Sequence, residues 1–267
     1  MELFNLLLLA VIQGITEFLP ISSSGHLILL PYLTGQPDQG QVIDVAVHVG
    51  TLGAVILYFH KDVALALGGL GRVIRGRIDT PGAFLALCLI VATIPVVIAG
   101  LLIKLAGVEE MLRSMALIGW TMLIFGILLW WIDTRAPRTR KAPQWTLKHA
   151  LVMGSWQVIA LLPGTSRSGI TITGARALGY DRPDAARLAM LMSIPTIAAS
   201  GVLLGGEVIL NADLAIARDG AIAAAFAFVS ALAALAVMMR LARSISFTPY
   251  VIYRVVLGII LLGIAYS

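Results

Sequence analysis

Charged side chains are few: Asp, Glu, Lys and Arg make up 12% of the 267 residues, about half the roughly 25% of an ordinary soluble domain. With 59% of residues hydrophobic and a mean hydropathy of +0.96, this shortage excludes a water-soluble fold, an RNA-binding domain and a disordered chain. Cysteine is nearly absent as well. Cys88, inside the apolar run from Phe84 to Leu102, excludes an internal disulfide and a cysteine metal site and reads as a small core residue. No basic patch stands out either. The net charge of +5 is spread over short connections between apolar runs, so no nucleic-acid partner is expected. The chain opens Met1-Glu2-Leu3 without a basic segment, and no small-residue cleavage site follows the first apolar run, which is therefore expected to stay in the protein. What is present is the composition of an integral membrane protein.

Six apolar runs are long enough to cross roughly 30 Å of hydrocarbon: residues 42–60, 83–103, 112–132, 187–210, 221–239 and 249–266. Two further apolar regions are interrupted. Leu3 to Leu33 is broken by Pro20-Ile-Ser-Ser-Ser-Gly-His26, and Leu147 to Leu178 by Pro163-Gly-Thr-Ser-Arg-Ser-Gly169. At about 1.5 Å per residue the halves are too short to span, so both regions are predicted to be re-entrant helical hairpins.

The basic residues indicate sides. Lys61, Arg72, Arg75 and Arg77 crowd one connection, Arg135, Arg138, Arg140, Lys141 and Lys148 another, and Arg240 and Arg243 precede the last run. These connections are assigned to the cytoplasm, alternating with the less basic ones at 104–113 and 211–220. Residues 1–41 then start and end outside, and residues 143–186 start and end in the cytoplasm, so one hairpin dips in from each face. Aligning Pro20 with Pro163 sets Glu17-Phe-Leu-Pro-Ile-Ser-Ser over Ala160-Leu-Leu-Pro-Gly-Thr-Ser, and three crossings follow each hairpin. Three is odd, which predicts an inverted repeat of residues 1–142 and 143–267 within one membrane domain, its broken helices meeting near the midplane. The expected fold is an all-α integral membrane protein with six transmembrane helices plus two re-entrant hairpins.

Glu17 and Arg167 fall in these interrupted regions, where a charge costs at least about 2.5–3.5 kcal/mol. An ion pair stapling the hairpins would account for those two alone. It does not account for Ser22, Ser23, Ser24 and His26 at one tip and Ser166, Ser168, Thr171 and Thr173 at the other. So many hydroxyls suit a wet anion pocket. Residues Gly164 to Thr171 lead into a short helix whose amides and positive end, with the donor fork of Arg167, match a phosphate. Ser23 and His26 are three apart, which permits a nucleophile beside a proton carrier; a flexible turn with a capping His is the plainer reading. Gln13 and Glu17 share one helical face and can offer a carbonyl and a carboxylate to a hard cation such as magnesium or calcium. Gln13, Ser22, Ser24, Gly164, Ser166, Ser168 and Thr171 are the candidate substrate-binding residues.

The stretch Gln13-Gly-Ile-Thr-Glu17-Phe-Leu-Pro-Ile-Ser-Ser-Ser-Gly-His26 resembles the Glu/Gln-x-x-x-Glu region, with its Ser and His, of the undecaprenyl-diphosphate phosphatases of the bacitracin-resistance type. Pro163-Gly-Thr-Ser-Arg167-Ser-Gly-Ile-Thr171 is similar to their Pro-Gly-x-Ser-Arg-Ser-x-x-Thr signature, and the likeness continues to Ser246-Phe-Thr-Pro-Tyr-Val-Ile-Tyr-Arg254. The resemblance implies hydrolysis of a C55 isoprenyl diphosphate to the monophosphate and inorganic phosphate, recycling the lipid carrier for cell-wall synthesis. It also implies a divalent cation, magnesium or calcium, a place in the bacterial inner membrane, a pocket open to the periplasm, and Glu17, Ser23, His26 and Arg167 in the catalytic site. Many members carry Glu where this chain has Gln13, which leaves Glu17 as the sole acidic ligand. In that chemistry Arg167, the Ser166 and Ser168 hydroxyls and nearby amides hold the β-phosphate. Ser23 or a water attacks in line, His26 is base or leaving-group acid, and Glu17 binds the cation or orients His26.

The rival reading is a secondary transporter or flippase of an anionic phospholipid, since broken helices at the midplane serve such proteins. An intramembrane serine protease would need no Arg167 clamp. His48, before Gly50-Thr51, lies deep enough to line the pocket but reads first as a helix contact rather than a catalytic group; His60 and His149 read as interfacial, and Trp130, Trp131, Trp145 and Trp156 as anchors or packing. Gly201 and Gly205 have the spacing of a close helix contact, within one subunit or in a homodimer.

Overall fold

The computed structural model describes residues 3–35, 40–108, 112, 114–209 and 214–267. Met1, Glu2 and parts of the connections at 104–113 and 211–220 lie outside them. Eleven helices are described: α1 Leu3–Phe18, α2 Ser23–Thr34, α3 Gln41–Tyr58, α4 His60–Ile74, α5 Pro81–Ala106, α6 Met115–Arg135, α7 Leu147–Val158, α8 Arg167–Ala177, α9 Arg182–Ile209, α10 Leu214–Leu241 and α11 Thr248–Tyr266. Among the described residues there is no strand, and Arg140 and Tyr180 form an isolated bridge.

Five helices contain stretches long and apolar enough to cross a membrane, and the pair α3 and α4, bent by 92° at Phe59, makes a sixth if counted as one. Large apolar side chains such as Ile94, Ile98, Ile124, Ile127, Ile252 and Ile259 face outward from these helices, as a lipid-solvated surface requires. The chain is a multi-pass, all-α membrane protein. By contrast α1, α7 and α8 have 16, 12 and 11 residues, or about 24, 18 and 17 Å of rise.

The breaks have a local cause. Ser22 and Ser166 are the non-glycine residues with positive φ among those described, at 74° and 68°, a left-handed conformation that ends a right-handed helix. Each is followed at once by a new helix, α2 from Ser23 and α8 from Arg167. The tips therefore correspond at Ser22 and Ser166, one residue away from the proline-on-proline alignment, because the second tip is one residue longer. Ser166 also caps α8, its Oγ accepting from Gly169 N at 3.1 Å.

Packing draws the short helices inward. α1 lies against α10 and α3, α7 lies against α5, α6 pairs with α11, and α8 is enclosed by α6, α7 and α9. Gly14 and Gly154 let α1 and α7 approach their neighbours closely: a methyl at Gly14 would fall 2.6 Å from Ala227 O, and one at Gly154 2.4 Å from Ala92 O. Every α8 residue from Ser168 to Arg176 is buried. Cys88 is fully buried beside Trp145, Met153 and Tyr180, and Trp156 packs on Gly174, whereas Trp130 and Trp131 are exposed. His149 shares a 2.7 Å hydrogen bond with the hydroxyl of Tyr180, whose phenol burial pushes up to about 12. A methyl on Gly201 would meet nothing within 4 Å, so that residue makes no close helix contact among the described residues; the surroundings of Gly205 are not among those described.

One buried charge cluster was not singled out from the sequence. Asp133, at the end of α6, accepts from Arg176 Nε at 2.9 Å, Arg182 Nε at 2.9 Å and Phe247 N at 3.3 Å. Arg176 is fully buried and also donates to the carbonyls of Asp133, Ala136, Pro137 and Tyr180. The cluster ties together α6, α8 and the starts of α9 and α11.

Candidate functional site

The two helix breaks meet and are stapled to each other by their serines. Gly164 N donates to Ser24 Oγ at 3.0 Å, and Ser168 Oγ donates to Leu19 O at 2.9 Å. Within each tip the hydroxyls pair again, Ser22 with Ser24 at 3.0 Å and Ser166 with Ser168 at 3.1 Å. Carbonyls of the second tip are held from outside it: Arg254 Nη2 donates to Gly164 O and Thr165 O at 3.1 and 2.8 Å, and Thr121 Oγ1 to Pro163 O at 2.5 Å. Thr171 is fully buried and donates to carbonyls of its own helix, Arg167 O and Ser168 O. The hydroxyls of Ser22, Ser24, Ser166, Ser168 and Thr171, expected to line a ligand pocket, thus have partners inside the protein and build its frame.

Glu17, on the last turn of α1, is the hub of what remains. Its Oε1 accepts from Arg167 Nη2 at 2.6 Å. Its Oε2 accepts from Ser23 Oγ at 2.9 Å and from Gln13 Nε2 at 2.8 Å. The carboxylate and guanidinium side chains are 7% and 16% exposed, so the pair is largely withdrawn from water yet open on one side. There the paired charges interact far more strongly than at a surface. Ser23 and His26 are half-buried.

Spacing placed Ser23 and His26 as partners; the structure gives each a different one. The Ser23 hydroxyl is turned to Glu17. His26 Nδ1 lies 2.7 Å from Ser22 O, a pure acceptor, so Nδ1 carries the proton and Nε2 accepts from Tyr253 Oη at 2.6 Å. The two rings stack with centroids 5.5 Å apart.

Tyr253, Arg254, Thr121 and His48 join the site without having been assigned to it. Tyr253 and Arg254 stand in the Ser246–Arg254 stretch, whose resemblance marked the segment but not a role. His48, whose depth allows either a helix contact or a place in the pocket, lies in the pocket. Its Nδ1 donates to Asp44 O at 2.7 Å and its Nε2 accepts from Gln13 Nε2 at 3.2 Å, 3.8 Å from Glu17 Oε2.

The donor set can be tested against a cation. Among the described residues no group of three or more His, Cys, Asp or Glu side chains converges. One carboxylate is present, and beside it Gln13 Oε1 is buried with no hydrogen-bond partner. Two protein oxygens of this kind fit a hard ion that keeps several waters and completes its shell with substrate phosphates.

Residues 6–260 match the family described as "Bacitracin resistance protein BacA". The chain is 71% identical over its full length, and that of the relative, to an "Undecaprenyl-diphosphatase" of Dinoroseobacter shibae. It is 68% identical, again over both full lengths, to one of Ruegeria pomeroyi, and 46% identical over 98% of each chain to one of Chromohalobacter salexigens.

Proposed function

Because the chain belongs to the bacitracin resistance protein BacA family, we propose that it hydrolyses undecaprenyl diphosphate to undecaprenyl phosphate and inorganic phosphate. The observation that carries this is the meeting of Arg167 and Ser23 on the two oxygens of one buried carboxylate, Glu17. A phosphate clamp and a hydroxyl nucleophile, from breaks far apart in sequence, are thereby held side by side. An intramembrane arginine would also suit a carrier, but the relatives are named as diphosphatases, which does not favour that reading.

In the reaction Arg167 shares its donors with the β-phosphate and stabilises the charge spreading over its oxygens. This loosens its hold on Glu17, which then accepts the Ser23 proton. Ser23 Oγ attacks the β-phosphorus in line, the bond to the bridging oxygen breaks, and the lipid monophosphate leaves. Water then attacks the phosphoserine as His26 Nε2, released by the Tyr253 hydroxyl, takes its proton; the bond from phosphorus to Ser23 Oγ breaks, Glu17 returns its proton to Oγ, and inorganic phosphate leaves. A magnesium or calcium ion, held by Glu17 and Gln13, supplies charge neutralisation of the diphosphate when bound.

The wider arrangement is part of the same proposal. α3, α5, α6, α9, α10 and α11 are the six crossings, and α1–α2 and α7–α8 are the re-entrant hairpins of an inverted repeat of residues 1–142 and 143–267. The packing supports this: α1 on α10 has its counterpart in α7 on α5, and α3 with α9 and α6 with α11 pair equivalent helices. The basic connections face the cytoplasm of the bacterial inner membrane and the pocket opens to the periplasm.

Phosphate release from undecaprenyl diphosphate by purified protein in detergent tests the reading. Arg167→Lys is expected to lower kcat/KM by about 100-fold, since a point charge cannot reproduce the guanidinium fork. Acid quenching of the wild-type reaction should leave phosphate on Ser23. A wild-type rate in Arg167→Lys would overturn the assignment.

A further inference from the structure

α4 leaves α3 at a bend of 92°. α3 has 18 residues, about 27 Å of rise and so nearly the whole hydrocarbon thickness. It crosses by itself, and α4 sets out along the membrane surface. The packing agrees. Leu65 and Gly69, about one turn apart, both meet Gly82 in the first turn of α5: a methyl at Gly82 would lie 2.2 Å from Leu65 O, and one at Gly69 2.1 Å from Gly82 C. α4 therefore passes across the end of α5 instead of running alongside it. Its start is tied to α9, where Arg187 Nε donates to Asp62 at 3.2 Å.

At about 3.6 residues per turn the rest of α4 divides into two edges. Val63, Leu67, Leu70 and Ile74 form an apolar edge, with Leu67 64% and Ile74 78% exposed. Lys61, Gly68, Arg72 and Arg75 form the opposite edge, all of them exposed, and Arg77 follows the helix. Arg72 is neutralised by two 2.7 Å hydrogen bonds to Asp79. Lys61, Arg75 and Arg77 make no ion pair among the described residues.

We propose that α4 is an in-plane helix that binds anionic phospholipid. Its apolar edge sinks among the acyl chains of the cytoplasmic leaflet, and Lys61, Arg75 and Arg77 hold the lipid phosphates. Three cations without counter-charge beside an exposed apolar edge match a molecule that has both an acyl chain and a negative headgroup. A second copy packed on this edge would instead bring two such sets of cations together. The inference does not depend on the phosphatase reading.

The test uses the full chain in vesicles of phosphatidylglycerol and phosphatidylcholine, with a bimane on Leu67→Cys, Leu70→Cys or Ile74→Cys. Cys88 is fully buried, and protein without an added cysteine gives the background. Quenching is read from lipids that carry a nitroxide either near the headgroup or deep in the chain. An in-plane helix gives all three positions the same preference for the shallow nitroxide. A helix entering the bilayer would change depth by about 10 Å from Leu67 to Ile74, and a preference that shifts between them overturns the proposal. Shallow nitroxides on phosphatidylglycerol are expected to quench about twofold or more over those on phosphatidylcholine at equal mole fraction. The difference should vanish when Lys61→Gln, Arg75→Gln and Arg77→Gln are combined. It should also vanish in the chain with these three residues intact at about 1 M salt, where charges are screened beyond about 3 Å. Equal quenching by the two lipids, a preference that survives either treatment, or no quenching by either, as when a second copy covers the edge, would each overturn it.

Discussion

A carboxylate offers about four lone-pair directions, and Glu17 uses three of them on Arg167, Ser23 and Gln13. A buried charge is tolerable only when so satisfied, and the same satisfaction arranges the chemistry, since each donor is a candidate participant. Glu17, Ser23, His26 and Arg167 were legible as candidates because charge is rare in an apolar chain and hydroxyls crowd its two interruptions. Their pairing was not, because a spacing of three residues brings two side chains near each other without saying which way each turns. Tyr253 illustrates the point. The resemblance marks its segment but gives it no role, and an aromatic near a helix start reads as an interfacial anchor, yet its hydroxyl occupies His26 Nε2. Tyr253→Phe should leave the imidazole less well positioned, lowering kcat about tenfold with KM nearly unchanged, as read from steady-state phosphate release. An equal loss in kcat and gain in KM would point instead to a role in substrate binding.

At the level of helices, the breaks were visible as polar, proline-containing interruptions, and their geometry follows from the two left-handed serines. The second tip leaves no room for a side chain at Gly164, where φ is 86° and a methyl would lie 2.1 Å from Thr121 Oγ1 and 2.5 Å from Ile118 O. Gly164→Ala combines an unfavourable backbone with overpacking, each worth about 1–3 kcal/mol. We expect a clearly lower thermal midpoint in detergent and phosphate release reduced at temperatures where the variant is still folded. Unchanged stability would mean that α6 yields easily and that the tip is not rigid. The five hydroxyls expected from sequence to bind substrate also brace the tips, a second role that sequence does not reveal, because the carbonyls and amides a serine can hold are known only once the chain is folded.

Across the molecule, the basic connections cluster at the ends of the helices where Asp133 gathers Arg176, Arg182 and Phe247. Removing the carboxylate leaves two guanidinium groups sharing no counter-charge there, and Arg176 fully buried. Asp133→Asn is expected to cost about 3–5 kcal/mol, seen as a lowered unfolding midpoint, while KM of the folded fraction stays near wild type because none of the Glu17 contacts is touched. A normal midpoint would show that water or the remaining carbonyls compensate. Membrane residence, the helices long enough to cross and the two interruptions follow from composition and spacing, since hydrophobic length and helical rise are local quantities. Folding in three dimensions settled the rest: that Glu17 meets Arg167 across 150 residues, that His48 turns toward Glu17 and Tyr253 toward His26, and that the tip serines also hold one another and backbone. A helix apolar on all sides has no stripe to say which face turns inward, so those choices come from the close packing of one helix on another.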